Sequence, residues 1–321
     1  MKKIIAAILL VLVLGVFAGI SYLSYGFPKV SAAPKLKIEP TPARLARGEY
    51  LARYGAGCLD CHSATSENKF AHPVKVEMLG SGGRVWTPAD GLPGTFTAKN
   101  LTPFHLGSWS DGELFRAITS GVRQGGGVLF PLMPYPNYGQ MDREDIDSII
   151  VYLRSLKPIT NVVAESKASF PMNLIMRTIP KDFANAARPP RADKLAYGKY
   201  VTTMASCGEC HTRMEHGKAV AGMEFAGGME FHVDGGIVRS VNLTPEPTTG
   251  LGAWTREMFI ARFKAYADER YTSPTIAKGE FNTAMPWTEY SRLEADDLSA
   301  IYDYLKSLKP VVNNVNRFTK I

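Results

Sequence analysis

The chain has 321 residues, enough for roughly two domains of ordinary size. Hydrophobic residues make up 45% and charged residues 21%, a globular composition that excludes wholesale disorder. The formal net charge of +7 suits an acidic partner or a membrane surface, but the Lys and Arg residues are scattered without interleaved aromatics, which argues against nucleic acid as a partner.

Met1-Lys2-Lys3 precedes an uncharged stretch, residues 4–27, that is close to the ~20 residues a helix needs to cross a hydrocarbon core. Lys2 and Lys3 would stay cytoplasmic, so the rest of the chain would lie outside. Tyr22 and Tyr25 fall where interfacial aromatics sit. A cleaved signal peptide ending near Ser31-Ala32-Ala33 is the rival, but its apolar run is usually shorter, about 7–15 residues. Both readings export the chain.

Beyond residue 41 the sequence repeats itself at an offset of about 150 residues. Gly48-Glu49-Tyr50-Leu51 matches Gly198-Lys199-Tyr200-Val201, and Asn100-Leu101-Thr102-Pro103 recurs as Asn242-Leu243-Thr244-Pro245. Trp109 answers Trp254, Met133-Pro134-Tyr135 answers Met285-Pro286-Trp287, and Tyr152–Pro158 answers Tyr304–Pro310. The expected organisation is an N-terminal anchor or signal helix (1–27), a linker (28–41), a first domain (42–158), an interdomain linker (159–190), a second domain (191–310) and a tail (311–321).

Each unit reads as all-α with long loops. The first helix is expected over Pro42–Tyr54 and, in the second unit, over Asp193–Thr203. The next starts near Asp111, where Ser110 and Glu113 have capping-box spacing, and its partner runs from Thr255 to about Ala267. The closing helices carry the apolar stripes Ile146, Ile149, Ile150, Leu153, Leu156 and Leu298, Ile301, Tyr302, Leu305, Leu308, and stop at Pro158 and Pro310. Residues 70–97 and 219–240 lack periodicity and read as wrapping loop. Loops that long need something large and buried to organise them.

All four cysteines sit in two phrases, CLDCH at Cys58–His62 and CGECH at Cys207–His211. A CxxCH phrase can bond both sulfurs to the vinyl groups of a haem and place the adjacent histidine beneath the iron. Rival uses are one four-thiolate zinc site, which leaves both histidines unexplained, two disulfides, or a redox dithiol, for which no α/β unit is visible. Two covalently attached haem c groups, with His62 and His211 as proximal ligands, is the reading that uses every residue of both phrases.

A haem iron has a second axial position. Met133 and Met285 lie 71 and 74 residues past the two histidines, each followed by proline and an aromatic. A lone methionine is more often core filler, but matched placement in both units points to a thioether ligand that raises the potential. His72, His105, His216 and His232 occupy no repeated position, and one of them replacing a methionine is the alternative. The repeated Asn100/Thr102 and Asn242/Thr244 are candidates for propionate contacts or for a purely local turn, and Arg84, Arg123 and Arg239 for propionate pairing. Trp109 and Trp254 are expected to pack on the cofactor or close the core.

On these residues the sequence resembles the multi-haem cytochrome c subunits of membrane-bound bacterial dehydrogenases, such as those for alcohol and gluconate, and related dihaem cytochromes. Asn242–Phe259, NLTPEPTTGLGAWTREMF, is similar to that family's NLTP…TGIGxWT stretch, and Asn100–Phe115 is a looser version. The resemblance covers about residues 42–310. It implies thioether anchors at Cys58, Cys61, Cys207 and Cys210, proximal ligands His62 and His211, and distal ligands Met133 and Met285, in two tandem cytochrome c-like domains. Those subunits typically carry three such domains and often a C-terminal anchor, whereas this chain has two phrases and an N-terminal apolar segment. The implied role is one-electron transfer, not catalysis. The donor would be a membrane-associated dehydrogenase subunit or redox protein, the acceptor a cytochrome or terminal oxidase, and the site the periplasmic face of a bacterial cytoplasmic membrane, with lipid contacted through residues 4–27. A dihaem peroxidase, with one iron open to peroxide, is the enzymatic alternative, which the matched methionines disfavour.

Overall fold

A computed structural model of the chain describes every residue except His216 and Asp234. Helix α1, Lys2–Tyr25, stands apart, and its most apolar stretch has a mean hydropathy of 2.9 with none of it buried. It is long and apolar enough to cross a membrane.

The remaining helices form two equivalent sets. In the first half α2 (Pro42–Tyr50) leads through a π-helical turn at Leu51–Gly55 into α3 (Cys58–Cys61), followed by α4 (Pro103–Leu106), α5 (Asp111–Ser120), α6 (Tyr135–Tyr138) and α7 (Arg143–Ser155). A short α8 (Met172–Ile175) lies in the linker. In the second half α9 (Lys194–Met204), α10 (Cys207–His211), α11 (Arg256–Lys264), α12 (Trp287–Tyr290) and α13 (Ala295–Lys306) repeat α2, α3, α5, α6 and α7. The starts follow the capping chemistry of the sequence. Ser110 and Glu113 form the reciprocal capping box of α5, and the Thr255 hydroxyl accepts from Met258 N at the start of α11.

The loops depart from an all-α architecture. Strands β1 (Val85–Trp86) and β2 (Gly94–Thr97) pair with each other, and the linker adds β3 (Lys167–Ala168) beside β2. In the second half β4 (Met214–Glu215) and β5 (Lys218–Ala219) pair, while β6 (Glu230–Val233), β7 (Gly236–Arg239) and β8 (Phe318–Lys320) make a second three-stranded antiparallel sheet. Strands of two to four residues are too short to print a legible alternation, which is why 70–97 and 219–240 read as loop. The tail expected beyond residue 310 thus belongs to the second half's sheet.

Within each half the first and last helices cross with backbones nearly touching. A Cβ on Gly48 would lie 1.9 Å from Ser148 O, and one on Gly198 would lie 2.1 Å from Ala300 O. Only glycine permits that crossing. It brings Leu51 of the first unit against Ile146, Ile149 and Ile150, and Val201 of the second against Leu298 and Ile301, in one apolar core continuous through both halves.

The halves clasp each other reciprocally. Tyr50 Oη donates to Asp297 Oδ2 at 2.6 Å and accepts from Glu294 N at 3.1 Å. Tyr200 Oη donates to Asp145 Oδ2 at 2.6 Å and accepts from Asp142 N at 3.1 Å. Both aspartates are fully buried. Asp145 also takes Arg47 and Arg188, and Asp297 takes Tyr197 and Arg191, so Arg188 at the end of the linker and Arg191 just past it are spent on this seam.

Two outcomes follow from this packing. Gly48→Ala and Gly198→Ala should each destabilise the protein by about 2–3 kcal/mol, read as a fall of several degrees in thermal midpoint by circular dichroism. Burial alone would raise the Asp145 carboxyl, but the Arg47 guanidinium, Tyr200 and Arg188 hold it below its ordinary value. A depressed carboxylate stabilises above its unfolded pKa of about 3.9 and loses that contribution as pH falls through the folded value. Asp145→Asn should therefore lower stability by about 3 kcal/mol at pH 7, with the gap to wild type closing on acidification below about pH 4.

Candidate cofactor-attachment sites

Each cysteine phrase forms a single helical turn entered through a left-handed residue, Gly57 (φ 62°) before α3 and Ser206 (φ 53°) before α10. Residues three apart on such a turn share a face, so the two sulfurs of each phrase can meet one planar group edge-on. Burial pushes the Cys58, Cys61 and Cys207 thiols up to about 12. Cys210 is exposed, and desolvation still pushes it up to about 11. Such desolvation favours the thiol over the thiolate that a reactive redox dithiol uses. No cysteine is paired, and among the described residues no three His, Cys, Asp or Glu side chains gather as a metal site.

The histidines are aimed in the same way in both halves. His62 Nδ1 lies 2.7 Å from Lys99 O, and His211 Nδ1 lies 2.8 Å from Val241 O. A carbonyl only accepts, so Nδ1 carries the proton and Nε2 keeps a free lone pair. Burial lowers both imidazole pKa values, against the opposing effect of the carbonyl bond, and keeps the rings neutral. This is the tautomer an iron ligand requires.

What fixes those carbonyls was not apparent from the sequence. Gly82 N donates to His62 O and Gly227 N to His211 O, both at 2.8 Å. Gly82 (φ 70°) and Gly227 (φ 76°) also lie so close to the carbonyl segment that a Cβ would stand 2.5 Å from Asn100 N or from Val241 C. The available signal was the Gly82-Gly83 and Gly227-Gly228 dipeptides, which recur before each Asn-Leu-Thr-Pro.

Asn100 and Asn242 support the same segment and are not free to bind a propionate. Asn100 Oδ1 accepts from Thr102 N and Oγ1 at 2.8 and 2.7 Å, while Nδ2 donates to Ile159 O and Asn161 O. Asn242 and Thr244 repeat the turn, with Asn242 Nδ2 donating to Val311 O. The local-turn reading therefore holds, and its use is to fix the residue just before it, Lys99 or Val241. Arg84, Arg123 and Arg239 are engaged with Asp60, Glu165 and Glu230. Trp109 and Trp254 are half-buried against the core.

Met133 and Met285 are also half-buried against the core that Cys58 lines. Each chain segment turns sharply past its proline, with Tyr135 N donating to Met133 O at 2.7 Å and Trp287 N to Met285 O at 2.8 Å. Tyr138 Oη then donates to Ala56 O and Tyr290 Oη to Ala205 O, both at 2.7 Å, tying each methionine segment to the residues before the matching cysteines. Tyr135 is wholly buried, yet its hydroxyl has no protein partner. An orphaned buried hydroxyl beside Met133, two free Nε2 atoms and two thiol pairs form a donor set that fits haem c. Of the non-repeated histidines, His105 packs beside Trp109, His72 approaches Glu67 and His232 is exposed on β6; His216 lies outside the described residues.

The two phrases meet across the seam. Asn137 Nδ2 on α6 donates to Ser206 Oγ, just before the second phrase, and to Glu209 Oε1 within it, both at 3.2 Å. Conversely, Glu289 on α12 lies near Asp60 of the first, and burial with that carboxylate pushes it up to about 7. Cys61 and Cys210 are near enough for each to feel charge from the other's phrase.

Residues 195–309 match the family model described as Cytochrome c. The chain is 28% identical over 295 residues to the alcohol dehydrogenase (quinone), cytochrome c subunit of Gluconacetobacter polyoxogenes, covering 86% of this chain and 58% of that protein. It is 29% identical over 286 residues to the gluconate 2-dehydrogenase cytochrome c subunit of Pantoea cypripedii, covering 83% and 60%. It is 28% identical over 177 residues to the "Diheme cytochrome c-type" of Cereibacter sphaeroides, covering 52% and 56%. The chain thus spans less than two thirds of the length of these relatives. Residues 195–309 thus carry the likeness to a cytochrome c domain, and the longer stretch is similar to cytochrome c subunits of dehydrogenases.

Proposed function

We propose that the protein is a membrane-tethered dihaem c-type cytochrome made of two tandem cytochrome c-like domains. It relays electrons one at a time from a dehydrogenase or quinol-oxidising complex on the periplasmic side of a bacterial cytoplasmic membrane to a downstream cytochrome or oxidase. The observation that carries this reading is the duplication of the imidazole geometry, with His62 and His211 each held through Nδ1 by a backbone carbonyl.

Haem c supplies a reversible one-electron iron couple when bound. The chain supplies the rest. Cys58, Cys61, Cys207 and Cys210 would be consumed as thioethers, each adding S–H across a vinyl group with nothing leaving. His62 and His211 would ligate through Nε2, and Met133 and Met285 would fill the opposite positions. Protein ligands on both sides favour electron exchange over substrate binding, and the equal treatment of the two methionine segments gives a peroxidase no distinct open site. The contact of Asn137 with the second phrase supports direct exchange between the halves. Helix α1 would hold the relay at a surface shared with its partners, raising their effective concentration. The dehydrogenase cytochrome subunits it resembles support a dehydrogenase as donor.

The reading is tested by counting haem that survives acidified organic solvent. Two per chain are expected, falling to one in Cys58→Ser/Cys61→Ser and to one in Cys207→Ser/Cys210→Ser; one or none in the wild type rejects the dihaem reading. Gly82→Ala should displace the Lys99 carbonyl and shift one of two reduction potentials in a redox titration, whereas Gly227→Ala should shift the other. Peroxide turnover by the purified protein would favour the enzymatic alternative.

A further inference from the structure

The linker carries an apolar surface that the electron-transfer reading does not use. Phe170 is 73% exposed, Ile175 44% and Ile179 37%, all on or beside α8. Exposed apolar side chains this close together mark a contact surface.

The same segment grips the end of α1. The Arg177 guanidinium donates to Leu23 O at 3.2 Å and Ser24 O at 2.8 Å, and also to Phe27 O. These are carbonyls at and just past the last turn of the helix, which has no later turn to satisfy them. Farther along, Ser31 N and Oγ both donate to Asp182, so the chain leaving α1 is tied to the linker at a second place.

That grip fixes depth. The 24 residues of α1 rise about 36 Å, against about 30 Å of hydrocarbon, so its last turn belongs in the headgroup region. Tyr22 and Tyr25, 58% and 91% exposed, are the aromatics expected at that level. Whatever is bound to Leu23, Ser24 and Phe27 lies at the same level. Lys29, beside Phe27, is exposed, as are Lys167 and Lys181 on the linker, cations that suit anionic headgroups.

We infer that the α8 turn of the linker rests in the membrane interface as a second lipid contact, seating Phe170 and Ile175 among headgroups and upper acyl chains. The inference rests on reading α1 as a membrane span. Its occupant is the bilayer surface itself, continuous with the lipid around α1. A helix alone leaves the haem domains free to swivel, and a second contact about it fixes which face they turn to the membrane.

The test uses the full haem-loaded chain, in which the four native cysteines are bonded and any added cysteine is the unique thiol. Phe170→Cys, Ile175→Cys, Leu12→Cys and Val312→Cys are spin-labelled singly and placed in nanodiscs containing anionic lipid, each checked for its two-haem spectrum. Expected is a several-fold higher ratio of oxygen to nickel-chelate accessibility at 170 and 175 than at 312, approaching that at 12. If labels at 170 and 175 behave like 312 while 12 reports lipid, the inference is overturned and the anchor reading survives. Labels at 170 and 175 shielded from both reagents would mean protein contact and overturn it equally. If 12 also reports water, the anchor reading fails and takes the inference with it.

Discussion

One close helix crossing occurs twice, where Gly48 meets Ser148 and Gly198 meets Ala300. At these crossings the first and last helices of each half come together without a side chain between them. The apolar stripe of the closing helix can then fold over Leu51 or Val201, and the chain leaving the first helix is delivered to the cysteine turn in a fixed direction. From there the constraint passes on through the left-handed entry residues, the histidines and the two glycines that bring a carbonyl to each Nδ1. A larger residue at either crossing would not remove a contact from the site itself. It would misplace the scaffold from which the site is measured.

The second organising interaction joins the halves. Each half's first helix sends a tyrosine to a buried aspartate at the start of the other half's closing helix. Because the exchange is reciprocal, the halves are related as the two members of a dimer would be, though they share one chain. The arrangement turns both attachment phrases toward a common seam, which is the placement a short electron path requires under the proposed function. Sequence identity between the halves is low, yet the hydrogen bonds that matter are reproduced to within about a tenth of an ångström.

The two cysteine phrases were legible as a repeat because their letters and spacing recur, and the helices because capping residues and apolar stripes are local signals. Ser110 with Glu113 is readable from four letters. The strands were not, because β1 and β2 hold only two and four residues, and β2 takes its second partner, β3, from about 70 residues on. Asn100 and Asn242 were seen as special but their targets were open, since an amide that bonds Ile159 O or Val311 O does so across the fold. The Tyr–Asp clasp is also nonlocal: nothing around Tyr50 names a residue nearly 250 positions away. The Gly-Gly dipeptides were visible as letters but not as contacts.

The linker ends up with a different character from the one its prolines suggest. It donates a strand to the first half's sheet, holds the end of α1 with Arg177, and spends Arg188 on one buried aspartate, while Arg191 just past it takes the other. A segment fastened at so many points behaves as a strut, not a tether. Under the proposed function, the two haem sites would be carried as a single rigid body, and exchange between them would be insensitive to solvent viscosity, because no domain would have to diffuse toward the other before an electron could pass.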